Sequence, residues 1–258
     1  MNKKKRQAIS LVGVLTVMIA FFITPITAFA ASVNYEKIGD YVSTWHVASL
    51  GGLHWTDTGV HLIKADNQPA FCIEHGVLLN GGSGFTPSEL NSTEKERLSL
   101  ISYYGYQVSP TMENYGITQN IIWEEFGDTL LTTQLPNYAN RKNEILTKVA
   151  NHKIKPSFAN QNITLNVGDS ITLTDTNNVL SKYGNLLENS ANLKIEKNGN
   201  ILKLTATASS KESGKLQYSM VPKDQVGQSF IYKKPGEQTV ATFKLSNAGE
   251  MNLNVKVN

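Results

Sequence analysis

The chain has 258 residues and a formal charge of +3; 40% of its residues are apolar, 17% are charged, and one is a cysteine. That composition belongs to a folded protein and excludes disorder and a nucleic-acid-binding tail. The net charge is a poor guide to partners, because Lys3, Lys4, Lys5 and Arg6 hold four positive charges and no acidic residue precedes Glu36. Without those four the body is close to neutral, so neither nucleic acid nor an anionic membrane surface is expected to bind it.

The four charges precede an uncharged apolar run from Leu11 to Ile23, then Pro25 and Ala28-Phe29-Ala30. Residues 1–30 read as a secretory signal peptide cut after Ala30, since a run of about 13 apolar residues is too short to span a bilayer. The protein is therefore expected to meet a membrane only during export. It is then secreted or held at the cell surface through a longer chain or a partner.

All three tryptophans and all five histidines lie before residue 153. Lys153-Ile154-Lys155-Pro156-Ser157 is short, polar and broken by proline, the composition of a linker. The expected organisation is a first domain over residues 31–153, a linker over 154–161 and a second domain over 162–258.

In the first domain, Val60, Leu62 and Lys64 alternate with His61 and Ile63. Asp66-Asn67-Gln68-Pro69 reads as a turn, and Ala70 to His75 resumes extended structure, giving a hairpin. Period two puts Cys72 and Glu74 on one face and Phe71, Ile73 and His75 on the other, which leaves His75 outside a Cys72-centred site. Thr86-Pro87-Ser88-Glu89 and Thr93-Glu94-Lys95-Glu96 both have capping-box spacing. They predict helix starts, with Leu98, Ile101 and Tyr104 on one helix that stops at Gly105. Further helices are expected over residues 118–126 and 137–151. The domain reads as α+β.

The second domain alternates throughout. Ile163-Leu165-Val167, Ile171-Leu173, Leu193-Ile195, Leu202-Leu204-Ala206, Leu216 to Val221, Phe230-Tyr232, Val240 to Leu245 and Met251 to Val257 mark about eight short strands. Such a series predicts an all-β, antiparallel, immunoglobulin-like sandwich. No phosphate loop, dinucleotide fingerprint or paired metal-ligand histidines occur in the sequence, so no cofactor or metal is expected.

A secreted chain with one cysteine makes no intrachain disulfide. Cys72 is an inert buried thiol, an intermolecular link, or a residue kept for its reactivity. Two segments bear on the choice. One is Phe71-Cys72-Ile73-Glu74; the other is Thr118-Gln119-Asn120-Ile121-Ile122-Trp123, preceded by Tyr103-Tyr104-Gly105. Together, over about residues 33–150, they resemble the thioester domains at the tips of Gram-positive surface adhesins.

The resemblance implies an internal thioester in which the Cys72 sulfur displaces ammonia from the side-chain amide of Gln119. Glu74, Thr118, Trp123 and Phe71 would support it, and Tyr103, Tyr104 and Tyr115 would help to exclude water. Ile121, two residues from Gln119, departs from the small residue usual there and would crowd the bond. The implied function is an adhesin that binds covalently, once per molecule and without turnover, to a lysine amine on a host or neighbouring-cell surface protein. The second domain would serve as its stalk. Two other readings stay open at this point: a secreted cysteine hydrolase or acyltransferase with Cys72 as nucleophile and a first-domain histidine as base, and a non-covalent binding module with an inert thiol.

Overall fold

The computed structural model describes residues 30–91 and 93–258; the expected export signal, apart from Ala30, lies outside them. Six strands come first: β1 (Ala31–Gly39), β2 (Ser43–Val47), β3 (Leu53–Asp57), β4 (Val60–Ala65), β5 (Gln68–Cys72) and β6 (Gly82–Glu89). Helix α1 (Lys95–Ser102) runs into a π-helical turn (Tyr103–Gln107), followed by α2 (Met112–Glu125), β7 (Thr129–Thr133) and α3 (Tyr138–Ala150). Nine strands complete the chain. They are β8 (Asn162–Leu165), β9 (Ser170–Thr174), β10 (Asn185–Asn189), β11 (Lys194–Asn198), β12 (Ile201–Thr205), β13 (Ser213–Ser219), β14 (Phe230–Lys233), β15 (Val240–Thr242) and β16 (Glu250–Val257).

The hairpin expected from Val60 onward forms, with Ala65 opposite Gln68. Its two-residue loop, Asp66-Asn67, has φ of 47° and 64°. Paired left-handed residues twist the backbone as antiparallel strands require, and Asp and Asn tolerate that conformation best after glycine. This hairpin belongs to a closed barrel with strand order β1-β4-β5-β15-β14-β6.

Two of those strands lie beyond the expected linker. In β14, Tyr232 pairs with Pro87 of β6; in β15, Val240 pairs with Cys72 of β5. Residues 31–153 therefore cannot close the barrel alone, and Ala31–Asn258 forms one compact unit. The expected boundary rested on where tryptophan and histidine stop. That change follows the distribution of aromatic packing, which is independent of which strands pair.

The other strands of the C-terminal half form two sheets, β10-β13-β16-β8 and β11-β12-β9, over a shared core that includes Leu180, Leu202, Leu204, Leu216 and Leu253. The sandwich is not wholly antiparallel, because β16 pairs with β8 in parallel. Asp175 ties the preceding segment to it. Its carboxylate accepts the backbone N–H groups of Ser157, Asn177, Val179 and Leu180 at 2.7–3.0 Å.

Local helix signals fared unevenly. Thr86 to Glu89 lies in β6, because Phe85 is buried inside the barrel and residues 86–89 pair with β14; long-range pairing overrides a four-residue capping pattern. At α1 the cap position is Glu94, with no side-chain hydrogen bond. Helix α2 begins six residues before the expected 118, capped by Thr111, whose Oγ1 accepts from Asn114 N at 3.2 Å. Gly105 does not end its helix. It lies in the π turn, where a Cβ would fall 2.2 Å from Thr118 Oγ1, so only glycine lets α2 cross this closely.

Candidate functional site

The site forms where β4 and β5 part. Their pairing reaches Ile63 and Ala70 and goes no further. Two side chains of α2, four residues apart and so on one helix face, take the place of the missing ladder. The Tyr115 hydroxyl is spliced into the last rung, accepting from Ile63 N at 3.1 Å and donating to Ala70 O at 2.6 Å. One turn on, the Gln119 amide mimics a strand: Oε1 accepts from Cys72 N at 2.8 Å and Nε2 donates to Cys72 O at 2.9 Å. The amide of Gln119 thus binds the main chain of Cys72.

The Cys72 thiol meets a different glutamine. On the other side of β5, Cys72 pairs with Val240, and the antiparallel register carries Gln238 past Glu74. Residues two apart on a strand share a face, so Gln238 becomes the diagonal neighbour of Cys72, within reach of a long side chain. Cys72 Sγ donates to Gln238 Oε1 at 2.8 Å. Gln238 Nε2 donates to Glu74 O at 3.0 Å, so the side-chain amide is held at both its oxygen and its nitrogen, and the backbone N of the same residue donates to Leu78 O at 3.0 Å. Burial pushes the Cys72 thiol pKa well above its ordinary value, and the negative charge of nearby Asp57 adds to the shift. The sulfur is therefore protonated at neutral pH and able to donate.

Cys72, Gln119 and Gln238 line one cavity of about 280 Å³. A buried aromatic cage forms another part of its wall. The His75 ring stacks on Trp123 with centroids 3.8 Å apart and planes 5° apart, and Trp45 meets both rings edge-on. Two carboxylates fix the imidazole, with Nδ1 2.7 Å from Asp128 Oδ2 and Nε2 3.3 Å from Asp57 Oδ2. Asp57 is itself held by Trp55 Nε1 at 3.0 Å.

Of the residues expected at the site, Cys72, Gln119 and Trp123 line the cavity, and so does Tyr115. Glu74 is exposed and acts as a clamp, its Oε2 accepting from Thr239 Oγ1 at 2.6 Å and Thr239 N at 3.2 Å. That grip fixes the segment carrying Gln238. Phe71 turns away into the helical core, where it stacks on the Tyr115 ring at 4.8 Å. Thr118 is fully buried against Gly105, its hydroxyl donating to Asn114 O at 2.7 Å. Tyr103 and Tyr104 belong to the π turn and do not line the cavity. Ile121 does not crowd the site: two helical steps turn it about 200° from Gln119, into the same core as Phe71.

Sequence reasoning missed His75, Asp57, Asp128 and Gln238. His75 was set aside by alternation, but β5 ends at Cys72 and a turn follows, so period two no longer applies. Gln238 stands 166 residues from Cys72, and its one local signal is its place just before a β-branched strand.

No family model matches the sequence, and no curated protein does. The fold, however, is that of a thioester domain. The solved structure that carries this likeness is the thioester domain of the Staphylococcus aureus TIE protein. It superposes with a TM-score of 0.73 at 24% identity, over 89% of this chain and 98% of that one. Residues 31–153 make up less than half of the chain, so an overlap of this extent takes in the sandwich as well. The Bacillus anthracis TIE protein aligns at a TM-score of 0.40 and 12% identity, over 88% of this chain; this chain spans about half its length, 49%.

Proposed function

We propose that this chain is a covalent capture module in which Cys72 and Gln238 form an internal thioester that an amine on a partner protein then opens. The observation that carries the reading is the Cys72 Sγ–Gln238 Oε1 contact of 2.8 Å, between two buried residues that line one cavity. In the first step Sγ bonds to Cδ of Gln238, the Cδ–Nε2 bond breaks, and the thiol proton leaves with the nitrogen as ammonia. A thiol does not attack an ordinary amide at a useful rate. Well-oriented intramolecular pairs reach effective molarities on the order of 10⁵–10⁸ M, and this amide is oriented by the thiol at Oε1 and by Glu74 O at Nε2.

Gln119 takes the positioning part. Its oxygen and nitrogen are both committed to the Cys72 main chain, where they hold the sulfur's own residue still. The cage around Trp123 shields the bond from water, which would hydrolyse it. In the second step an unprotonated amine bonds to Cδ, the Cδ–S bond breaks, and a proton passes from nitrogen to sulfur. The product is an amide to the partner plus a free Cys72 thiol, so each molecule reacts once and does not turn over. A cysteine hydrolase would need a base on the sulfur, whereas His75 spends both ring nitrogens on carboxylates.

The N-terminal basic, apolar and small-residue pattern supports export. With it, the reading becomes a secreted or surface adhesin whose partner is a lysine of a host or neighbouring-cell surface protein.

Intact mass spectrometry of the chain lacking residues 1–30 tests this. We expect a mass one ammonia below the sequence value, and after methylamine treatment an N-methylamide that peptide mapping locates on Gln238. A full sequence mass with a freely alkylated thiol overturns the thioester. A methylamide on Gln119 overturns the pairing.

A further inference from the structure

The cavity has a charge character that bears on what it admits. Among the described residues lining it there is one carboxylate, Asp57, and no lysine or arginine. The other ionisable groups on the wall are the Cys72 thiol, His61, His75 and the tyrosines Tyr35, Tyr41 and Tyr115. The structural contacts of Asp57 do not exhaust it. Trp55 Nε1 takes Oδ1 and His75 takes Oδ2, yet a carboxylate offers about four lone-pair sites, so acceptor capacity remains on both oxygens. Its side chain is 24% exposed while that of His75 is only 4% exposed, so Asp57 is the member of the cage that a visitor can touch. Its charge also reaches the reacting sulfur, because it helps to raise the Cys72 pKa.

We propose that Asp57 is the specificity residue of this cavity, receiving the ammonium of an incoming primary amine and delivering it beside the Cys72–Gln238 bond. The inference rests on the thioester reading above. A fixed carboxylate in a partly desolvated wall attracts a cation more strongly than the same group in water. Its two partners hold it in one place, so little ordering remains when the amine arrives. The ammonium gives one proton to bulk water, its nitrogen attacks Cδ of Gln238, and the second displaced proton ends on Cys72 Sγ. Asp57 selects and holds the amine before the attack. Neutral nucleophiles gain nothing from it, and anionic ones are repelled. Trp55 and His75 are positioning residues for this carboxylate, and Asp128 acts through His75.

The test compares two nucleophiles on the cross-linked full chain. Methylamine is a cation at neutral pH, whereas hydroxylamine is uncharged. Loss of the thioester is followed by mass spectrometry for each, and the methylamine-to-hydroxylamine rate ratio is the readout. In Asp57→Asn we expect that ratio to fall by about 10-fold, the low end of what steering by a local charge contributes. Asp57→Glu should recover most of it. General damage to the cavity would lower both rates together and leave the ratio unchanged, and that result overturns the proposal. A second measurement needs no variant: raising ionic strength should slow methylamine opening of the unsubstituted protein and leave the hydroxylamine rate alone. If the unsubstituted protein has no thioester mass, the underlying reading fails before this one is reached. If the mass is present and the ratio responds neither to salt nor to Asp57→Asn, only the role of Asp57 fails.

Discussion

Replacing Gln119 by alanine separates two roles that the sequence alone assigned to one residue. The substitution removes the amide that satisfies both main-chain groups of Cys72, at 2.8 and 2.9 Å, in a residue that is 5% exposed. Each buried backbone group left without a partner costs about 1–3 kcal/mol, so the pair implies a loss of about 3 kcal/mol after some rehydration through the cavity. For a unit of this size that corresponds to a fall in Tm of about 6–12 °C. In a Cys72→Ala background, which has no thiol to contact, Gln238→Ala gives up one bond to Glu74 O and should cost about 1 kcal/mol. Both are best measured by thermal and urea unfolding in a Cys72→Ala background, where no cross-link contributes. In the Cys72-containing protein, Gln238→Ala should have the full sequence mass, and Gln119→Ala should still lose ammonia, more slowly. A Gln119→Ala protein as stable as its parent, or one whose ammonia loss is abolished while Gln238→Ala retains it, would refute this division of labour.

Two further expectations concern the scaffold. Gly105→Ala drives a methyl to 2.2 Å from Thr118 Oγ1 and should destabilise by about 1–3 kcal/mol; adding Thr118→Ala should recover most of that in a urea titration. Burial works to raise the Asp175 pKa, but hydrogen bonds from Ser157, Val179, Asn177 and Leu180 outweigh it and hold the carboxyl below its ordinary value. The stabilisation it gives is complete above the unfolded-state pKa of about 4 and is lost as pH falls through the folded value. Unfolding free energies measured from pH 6 down to pH 2 should therefore drop less steeply for Asp175→Asn than for the parent.

The periodic elements were readable in the residues. The Val60 hairpin, the helix from 138 and most C-terminal strands lie where strand alternation and helical spacing of apolar residues place them, because each depends on neighbours close in sequence. What failed was non-local. Residues 86–89 carry a helix-start pattern yet pair with β14, and the linker composition around 153 does not separate two folding units. At the site, the two half-motifs pointed to a Cys72–Gln119 cross-link; the structure puts the Gln119 amide on the Cys72 main chain and the thiol on Gln238. The nature of their contact was hidden, because a glutamine facing a main chain and one facing a thiol look alike in sequence. Gln238 becomes visible only when the register of β5 against β15 is known. The cage around His75 escaped because it depends on where a strand stops.

The position of β15 has a consequence for biogenesis. The strand that delivers Gln238 follows the whole helical region and most of the sandwich in chain order, so the sulfur emerges from synthesis long before its acyl partner exists. On the thioester reading proposed above, a chain exported before it folds would carry no electrophile past the amines of the secretion machinery. Reactivity is acquired last, as a property of the completed tertiary structure. On the same reading the bond would double as a folding checkpoint, and chains truncated before residue 238 would lack it.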